Sequence, residues 1–366
     1  MAKTSNRIYQ QKTKIKMVEE NPILGIIGGG QLGSMLAVAA KKLNIKTIIL
    51  SDDPKAPAKN FCDELIISDY NKVKNIEDFA NKVNVITFEF ENIPFKILEH
   101  ISKFKPVLPK PIINQIVQNR FTEKKFINDV GVETTDYALI KEKSDILKNQ
   151  DLLPGILKTC TLGYDGKGQF VINNSQEINK LEIEFNREYI LEKKINLKKE
   201  ISIIVTRFLN NDCLIFEPFE NHHINQILNK SIIPADIGKN IIEKAQQQAK
   251  LIAEKLDYIG TMCVEYFIDR NNNLFVNEIA PRVHNSGHLT INAYNVSQFE
   301  NHIRAVCNLE KVELKKFHNA EMINIIGEDI KIYRDKSYKK NEFFFDYLKT
   351  EIKKKRKMGH LTTIKP

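Results

Sequence analysis

The sequence predicts an α/β fold, with an open parallel sheet near the N-terminus and a mixed α+β region after it. Three observations support this prediction. Short apolar runs alternate with a helix-like stretch over residues 23–90, which is typical of β–α–β units. Three prolines between residues 106 and 111 interrupt that pattern. Beyond them, strand-like segments flank a glycine-rich loop and a polar turn, as antiparallel pairs do.

The individual elements follow from hydrophobic periodicity and from turn residues. In the N-terminal part we predict strands over residues 23–27, 47–50 and 85–90, and a helix over 34–43. The proline-rich residues 105–111 predict a linker. After it we predict helices over residues 112–130 and 241–256, and strands flanking the loop within 157–172 and over 189–191, 201–208, 262–268, 274–276 and 343–347.

Length and composition limit the classes of protein to consider. At roughly 150 residues per domain, 366 residues suggest two or three domains. No apolar run approaches the roughly 20 residues needed to span a bilayer, so no membrane partner is expected. The formal charge of +9 comes mostly from lysines spread along the chain, so we expect no nucleic-acid partner. Residues 1–21 are basic and lack an apolar segment, and they predict a mobile extension.

Cysteine usage indicates a reducing compartment. The five cysteines are widely separated, odd in number and form no CxxC pair. Neither a disulfide framework nor a zinc site is indicated, and a cytoplasmic location is expected.

The first glycine cluster, GGGQLG at residues 28–33, leaves two interpretations open. It follows a strand, precedes a helix and matches GxGxxG, while Asp52 ends the next strand about 20 residues later. This is the context of an NAD-binding site. The same geometry would also suit any phosphorylated small molecule, because the helix N-terminus favours anions.

The second glycine cluster is more specific. Residues 163–169 read GYDGKGQ and follow the strand that contains Lys158. Glycine backbone N–H groups and two lysines would form a mobile flap over phosphates, although a simple glycine-rich hairpin is the alternative.

Paired carboxylates form the third feature. Glu265 and Glu278 lie on the two predicted strands that flank the polar turn at residues 269–273, and Asn277 precedes Glu278. Oxygen donors placed in this way suit Mg²⁺, although solvated strand carboxylates would show the same spacing. The following residues, APRVHNSGH at 280–288, add an Arg and two His beside the pair.

Together these motifs resemble the ATP-grasp superfamily and, within it, the N5-carboxyaminoimidazole ribonucleotide synthase family. The resemblance rests on GGGQLG (28–33), FEFENIP (88–94), GYDGKGQ (163–169), NEIAPRVHNSGH (277–288) and RKMGH (356–360). It implies an ATP-grasp fold preceded by a Rossmann-like domain. The expected divisions are residues 22–110 for that domain, 111–195 for the lid region and 196–366 for the C-terminal domain with the metal.

The resemblance also implies a reaction. ATP, with Mg²⁺, and bicarbonate would form carboxyphosphate, which carboxylates the amine of 5-aminoimidazole ribonucleotide (AIR) in purine biosynthesis. It further implies a homodimer.

The implied site residues fall into four groups. ATP would be bound by Arg120, Lys158, Gly163, Tyr164, Asp165, Gly166, Lys167, Gly168, Gln169, Glu192, Lys193, Lys194, Ile195, Glu200, His223, Asn277 and Glu278. AIR would be bound by Gln31, Leu32, Glu91, Tyr164, Asp165, Lys349, Arg356 and Lys357. The metal ligands would be Glu265 and Glu278, and the catalytic residues Arg282, His284 and Asn285.

Alternatives and one departure remain. A formate-dependent glycinamide ribonucleotide transformylase would share the architecture, and an NAD- or nucleotide-binding protein would use residues 28–33. Residues 353–355 are all lysine, where the family often has Arg-Pro-Gly, so the shape of that loop is in doubt.

Overall fold

The N-terminal part of the protein is a four-stranded parallel sheet. The computed structural model describes residues 22–163, 168–178 and 183–365, so the basic extension and the flap residues 164–167 lie outside the described residues. The sheet has the strand order β3-β2-β1-β4. Its elements are β1 (Ile23–Ile27), α1 (Gln31–Lys42), β2 (Lys46–Ser51), β3 (Glu64–Ile67), α2 (Val73–Asn81), β4 (Val85–Phe88) and α3 (Phe95–Ile101).

A second, antiparallel sheet follows two helices. Its strand order is β5-β8-β6-β7. The elements are α4 (Pro111–Val117), α5 (Arg120–Asp129), β5 (Tyr137–Ile140), α6 (Lys143–Lys148), β6 (Gly155–Thr159), β7 (Gln169–Ile172), α7 (Ser175–Ile178) and β8 (Tyr189–Lys193). The chain between β6 and β7 is the second glycine cluster.

The remaining strands build one nine-stranded sheet. Its order is β14-β13-β9-β11-β12-β15-β17-β16, with β10 paired to β9. The strands are β9 (Leu197–Arg207), β10 (Cys213–Ile215), β11 (Phe219–Ile224), β12 (Ile227–Ile233), β13 (Gly260–Asp269), β14 (Leu274–Ala280), β15 (Asn319–Ile326), β16 (Glu342–Asp346) and β17 (Lys357–Lys365). The helices are α8 (Lys239–Lys255), α9 (Thr290–Ala293), α10 (Gln298–Val306) and α11 (Ile330–Asp335).

Apolar packing joins the parallel sheet to the large sheet. Helix α1 buries Met35 and Leu36 in the same core cluster as Phe299 and Ile303 of α10. Burying such side chains is worth about 1.5–3 kcal/mol each relative to leaving them exposed. The N-terminal sheet is therefore held against the C-terminal part by a continuous core.

The predicted α/β fold and its parallel N-terminal sheet are confirmed, one helix prediction was wrong, and the predicted linker pairs in part with the sheet. The expected helix over 112–130 is two helices, because Asn119 interrupts the first and caps the second with its side chain. The expected linker at 105–111 is in part an extension of the sheet, since Val107 forms a parallel bridge to Ile86 of β4 and is buried.

Within the part of the chain that the structure describes, no helix combines the length and apolar character needed to cross a membrane.

Candidate active site

A cavity of about 670 Å³ lies between the antiparallel sheet and the large sheet. Apolar side chains form part of its wall, among them Ile156, Val171 and Phe267. It brings together the predicted nucleotide residues Arg120, Lys158, Gly163, Gln169, Glu192, Lys193, Lys194, Ile195, Glu200, His223, Asn277 and Glu278. Gly168 does not line it, and Tyr164, Asp165, Gly166 and Lys167 lie outside the described residues. Most of the described set therefore shares one cavity.

A buried ion cluster lies on the lid side of the cavity. Lys158 Nζ of β6 donates to Glu192 Oε2 of β8 at 2.9 Å, because these strands are neighbours in the sheet. Lys124 Nζ of α5 lies 3.5 Å from the same oxygen. Burial opposes ionisation of Glu192, but Lys124 and Lys158 together lower its pKa to about 2. Glu192 is therefore ionised at neutral pH, whereas burial lowers the pKa of Lys124 against the attraction of Glu192.

Backbone hydrogen bonds fix the segment at residues 192–195. Thr135 Oγ1 donates to the carbonyl of Lys193 at 2.7 Å, and the Lys194 N–H donates to the carbonyl of Pro154 at 2.9 Å. The segment therefore presents a fixed backbone edge to the cavity.

His223 and Glu200 form a pair on the opposite wall. His223 Nδ1 lies 2.8 Å from Glu200 Oε2. Burial opposes protonation of His223, but Glu200 and Glu265 raise its pKa above the ordinary value. A cationic His223 would hold the Glu200 carboxylate in one orientation.

Glu265 and Glu278 face each other across the β13–β14 hairpin. They are direct partners in the register, and a bulge follows at Tyr266. The turn is fixed by Asp269, whose Oδ1 accepts from the N–H groups of Asn271 and Asn273. Because direct partners share a face of the sheet, both carboxylates project to the same side.

Both carboxylates have partners in the structure. Glu278 Oε2 accepts from Arg120 at 3.1 Å, and Glu265 Oε1 lies 3.0 Å from His284 Nε2. Burial opposes ionisation of Glu265, but His284 and His223 lower its pKa to about 2.

Each of these contacts engages only one oxygen of its carboxylate and leaves the other for a metal. Oxygen donors of this kind fit Mg²⁺. Cys263 also lies near Glu265 and His284, with ligand atoms within 4.8 Å of one another. Burial raises the pKa of the Cys263 thiol well above its ordinary value, so it does not offer a thiolate.

The segment after β14 connects this hairpin to the parallel sheet. Arg282 donates to both carboxylate oxygens of Glu91, one of them at 3.2 Å, and both residues line the cavity. His284 Nδ1 lies 2.8 Å from Ser286 Oγ. Asn285 points elsewhere, because its side-chain amide is buried and bonds Asn324 Oδ1 at 3.1 Å.

The first glycine cluster holds a carboxylate of the protein itself. Glu89, at the end of β4, accepts from the backbone N–H groups of Gly30 and Gly33 at the N-terminus of α1. Gly28 has φ +106°, and a Cβ there would lie 2.4 Å from Glu89 Cγ. The position where a dinucleotide would place its pyrophosphate is thus filled by the Glu89 carboxyl group, whose pKa burial raises against these backbone hydrogen bonds. The NAD interpretation is disfavoured for that reason.

Of the predicted AIR-binding cations, Lys349 contacts the start of α1, whereas Lys357 lines the cavity between the two sheets. Lys349 Nζ donates to Gln31 Oε1 at 2.6 Å and to the carbonyl of Lys357 at 2.7 Å. Burial together with the charges of Arg356 and Lys357 lowers the pKa of Lys349 to about 7, against the attraction of Glu89. An incoming phosphate would favour the charged amine.

The other predicted AIR residues are placed differently. Leu32 packs its side chain in the core, so only its backbone could meet a ligand. The lysine-rich residues 353–355 form a turn that the Arg356 N–H closes on the carbonyl of Lys353.

Sequence reasoning missed three buried charged residues: Glu89, Glu123 and Lys124. Glu123 Oε1 accepts from the Ile279 N–H at 2.6 Å beside Glu278. Burial and Glu278 raise the pKa of Glu123 to about 8. Glu89 and Glu91 lie two positions apart at the end of the same strand. This spacing could have indicated Glu89 as a site residue from the sequence. For Glu123 and Lys124, the only sequence signal was that these charged residues lie on helix α5, which packs against the rest of the protein.

Family models match three successive stretches of the chain. Residues 22–118 match the ribonucleotide synthetase preATP-grasp domain, and residues 125–299 match the ATP-grasp domain. Residues 320–366 match the phosphoribosylaminoimidazole carboxylase C-terminal domain. The fold is that of an ATP-grasp enzyme with a preATP-grasp domain.

Individual relatives show which family within this class of enzymes the chain belongs to. N5-carboxyaminoimidazole ribonucleotide synthase of Bacillus subtilis (strain 168) is 40% identical over 355 residues, covering 96% of this chain and 93% of the relative. The chain belongs to the N5-carboxyaminoimidazole ribonucleotide synthase family, and it is an ATP-dependent ligase.

Solved structures agree. N5-carboxyaminoimidazole synthetase of Staphylococcus aureus complexed with ADP superposes with a TM-score of 0.89 at 38% identity, covering 95% of this chain and 94% of that one. The synthase of Aspergillus clavatus in complex with ADP and 5-aminoimidazole ribonucleotide has a TM-score of 0.87 at 27% identity, with 94% of each chain covered.

Proposed function

We propose that the cavity between the two sheets binds ATP with Mg²⁺ and bicarbonate, and that AIR binds beside it at the start of α1. ATP-dependent carboxylation of AIR in purine biosynthesis is the reaction of the family to which the chain belongs. The observation that carries the proposal is the cavity itself, since it unites two phosphate-directed cations, Arg120 and Lys158, with the facing carboxylates Glu265 and Glu278.

The residues around the phosphates have distinct roles. Arg120 and Lys158 supply positive charge where the β- and γ-phosphates lie, and Glu265 and Glu278 hold the metal. When bound, Mg²⁺ neutralises charge that develops on the phosphates during transfer. Arg120 contacts Glu278 in the structure, so its guanidinium lies beside one of the residues that would hold the metal.

The chemistry has two steps. An oxygen of bicarbonate attacks the γ-phosphorus, the bond to the β-phosphate oxygen breaks, and ADP leaves as carboxyphosphate forms. The exocyclic amine of AIR then attacks the carboxyl carbon, the carbon–oxygen bond to phosphate breaks, and the amine loses a proton. Arg282, held by Glu91, is placed to bind the anionic carboxyl group between the two substrates.

The role of His284 is constrained by its contacts. Its two ring nitrogens lie within hydrogen-bond distance of Glu265 and Ser286. To take the proton from the amine, the ring would first have to leave one of these partners. We therefore propose that the main role of His284 is to orient Glu265, and that proton transfer is its secondary role. Asn285 orients this loop from its buried side.

On the AIR side, Lys349, Arg356 and Lys357 hold the 5′-phosphate, and Gln31 orients Lys349. Glu89 supports this placement because its carboxyl group already accepts from the N–H groups of Gly30 and Gly33 in the glycine cluster.

Domain division and assembly are also proposals. We propose boundaries at residues 22–110, 111–195 and 196–366, which place one of the three sheets in each part. The family resemblance supports a homodimer. The five cysteines are free thiols, which supports a cytoplasmic location.

The substrate pair distinguishes this function from its alternative. Release of ADP should require both bicarbonate and AIR. A formate-dependent transformylase would instead respond to formate with glycinamide ribonucleotide. ADP release stimulated only by the second pair would overturn the proposal, and a coupled assay of ADP measures both.

The metal assignment predicts the effect of one substitution. Glu278→Gln keeps the side-chain shape but removes one ligand charge, so AIR-dependent ADP release should fall by about 100-fold or more. The matched control is Glu133→Gln, an exposed glutamate that lies outside the cavity. Undiminished turnover in Glu278→Gln would contradict the assignment.

A further inference from the structure

In the ion cluster on the lid side of the cavity, two lysine side chains lie beside one carboxylate. Glu192 Oε2 accepts from Lys158 at 2.9 Å, and Lys124 lies 3.5 Å from that same oxygen. All three side chains are buried, with exposed fractions of 3% for Glu192, 6% for Lys158 and 2% for Lys124. Two ammonium groups therefore compete for one oxygen.

Lys158 and Glu192 both line the cavity, so the ammonium group that Glu192 holds also lies beside the position proposed for the phosphates. Phosphates bound there would draw this ammonium group away from Glu192. A buried carboxylate that loses its cation is strongly destabilising. Binding of the phosphates would then be opposed by the charge that Lys158 leaves behind.

We propose that Lys124 is a positioning residue that neutralises Glu192 and so releases Lys158 to the phosphates of ATP. This inference rests on the proposed contact between Lys158 and those phosphates.

Lys124 is placed to remain with Glu192 when Lys158 moves. It extends from α5, and its Nζ also donates to the carbonyl of Asn277 on β14 at 3.3 Å. Glu192 Oε1 has no hydrogen-bond partner among the described residues, which leaves a second acceptor for this ammonium group. Lys124 thus joins the lid strand β8 to the strand that carries Glu278, independently of ATP.

Substitution of Lys124 separates this role from simple packing. Lys124→Met keeps much of the apolar stem but removes the charge. Lys158 should then remain on Glu192, so affinity for ATP should fall by about tenfold, the effect of one lost charge-assisted hydrogen bond. Affinity for adenosine, which lacks phosphates, should stay unchanged. Calorimetric titration with both ligands in the presence of Mg²⁺ measures this difference.

A second substitution should restore binding. Glu192→Gln removes the charge that retains Lys158, so Lys124→Met/Glu192→Gln should bind ATP more tightly than Lys124→Met alone. The matched control is Lys125→Met, which removes the neighbouring, exposed lysine of the same helix and should leave both affinities unchanged. Lys124→Gln replaces Lys124→Met where thermal melting shows that the latter does not fold.

Three results would overturn the inference. The first is an equal loss of adenosine and ATP affinity in Lys124→Met, which indicates a packing role. The second is a double variant that binds ATP no better than Lys124→Met. The third is unchanged ATP affinity in Lys158→Met. Failure of the proposed function is distinct, because it would appear as absent AIR-dependent ADP release in the unsubstituted enzyme.

Discussion

At the scale of single residues, some charged side chains bind the protein's own backbone, whereas others remain available to a ligand. Glu89 and Glu91 are two positions apart, yet Glu89 caps the glycine cluster and Glu91 binds Arg282. Because the Glu89 carboxyl group already occupies the N-terminus of α1, an AIR phosphate would need positive charge elsewhere. We propose that Lys349, together with Arg356 and Lys357 around the start of β17, provides it.

Arg356 offers the sharpest test at this scale. Arg356→Ala removes a guanidinium that can bind a phosphate with two hydrogen bonds, so the KM for AIR should rise about 10- to 100-fold. The KM for ATP should change little, because Arg356 does not line the nucleotide cavity. Steady-state kinetics with each substrate varied in turn measures the split.

The control for that variant is Lys340→Ala, which also removes one positive charge but lies exposed and away from the cavity. Equal increases in both KM values for Arg356→Ala would contradict a phosphate-binding role.

At the scale of elements, the break between α4 and α5 positions Arg120, one of the cations proposed to bind ATP. The Asn119 side chain accepts from the N–H groups of Phe121 and Thr122, so a new helix begins at Arg120. The Arg120 N–H also donates to the carbonyl of Cys160 at 2.8 Å, beyond β6. Helix α5 then delivers Arg120, Glu123 and Lys124 to one edge of the cavity.

This cap can be removed without touching the cavity. Asn119→Ala should lower the free energy of unfolding by about 1 kcal/mol, because two N–H groups lose their acceptor. The KM for ATP should also rise as the first turn frays around Arg120. Asn119→Ser, which retains a capping oxygen, should lie close to the unsubstituted protein. Urea denaturation gives the energies, and an Asn119→Ala protein of full stability would contradict the capping role.

At the scale of the whole molecule, buried histidines join parts that are distant in sequence. His302 of α10 lies 2.7 Å from Thr87 Oγ1 of β4, and it accepts from the Thr261 N–H of β13. His288 and His360 have ring centroids 4.9 Å apart. Burial lowers the pKa of His302 and of His360 to about 3 and that of His288 well below its ordinary value.

These shifts predict sensitivity to acid. The pKa of each histidine is lower in the folded protein than in the unfolded chain, so its stabilising effect is present above pH 6.5 and is lost as the pH falls toward 3. Each can contribute about 1.4 kcal/mol per pH unit to this loss. His302→Gln removes one of these titrating groups. Between pH 6.5 and 5, the slope of the unfolding free energy against pH should therefore fall by the contribution of about one proton.

Comparison between the two proteins cancels other titrating groups, such as Glu123 with its pKa of about 8. Parallel slopes, measured by urea denaturation at each pH, would contradict the assignment to His302.

The sequence predicted what depends on local pattern. Strand runs such as Ile23–Ile27 and the hairpin that aligns Glu265 with Glu278 follow from periodicity and turn residues. The roles of Glu89 and Lys124 depend on partners far away in the chain, 56 residues to Gly33 in the first case. Such partners are chosen by tertiary packing, which periodicity does not encode. The split of the predicted helix at Asn119 was missed because a polar residue inside a helical pattern carries no unique signal.

At the scale of the whole enzyme, we propose that the phosphates of ATP and of AIR bind at two different sets of cations. A crystal structure of the enzyme with Mg²⁺, ADP and AIR tests this directly. The ADP phosphates should lie between Arg120 and Lys158, with the metal on Glu265 and Glu278, and the AIR phosphate should contact Lys349 and Arg356. An AIR phosphate bound instead by the N–H groups of residues 28–33, with Glu89 displaced, would contradict the account.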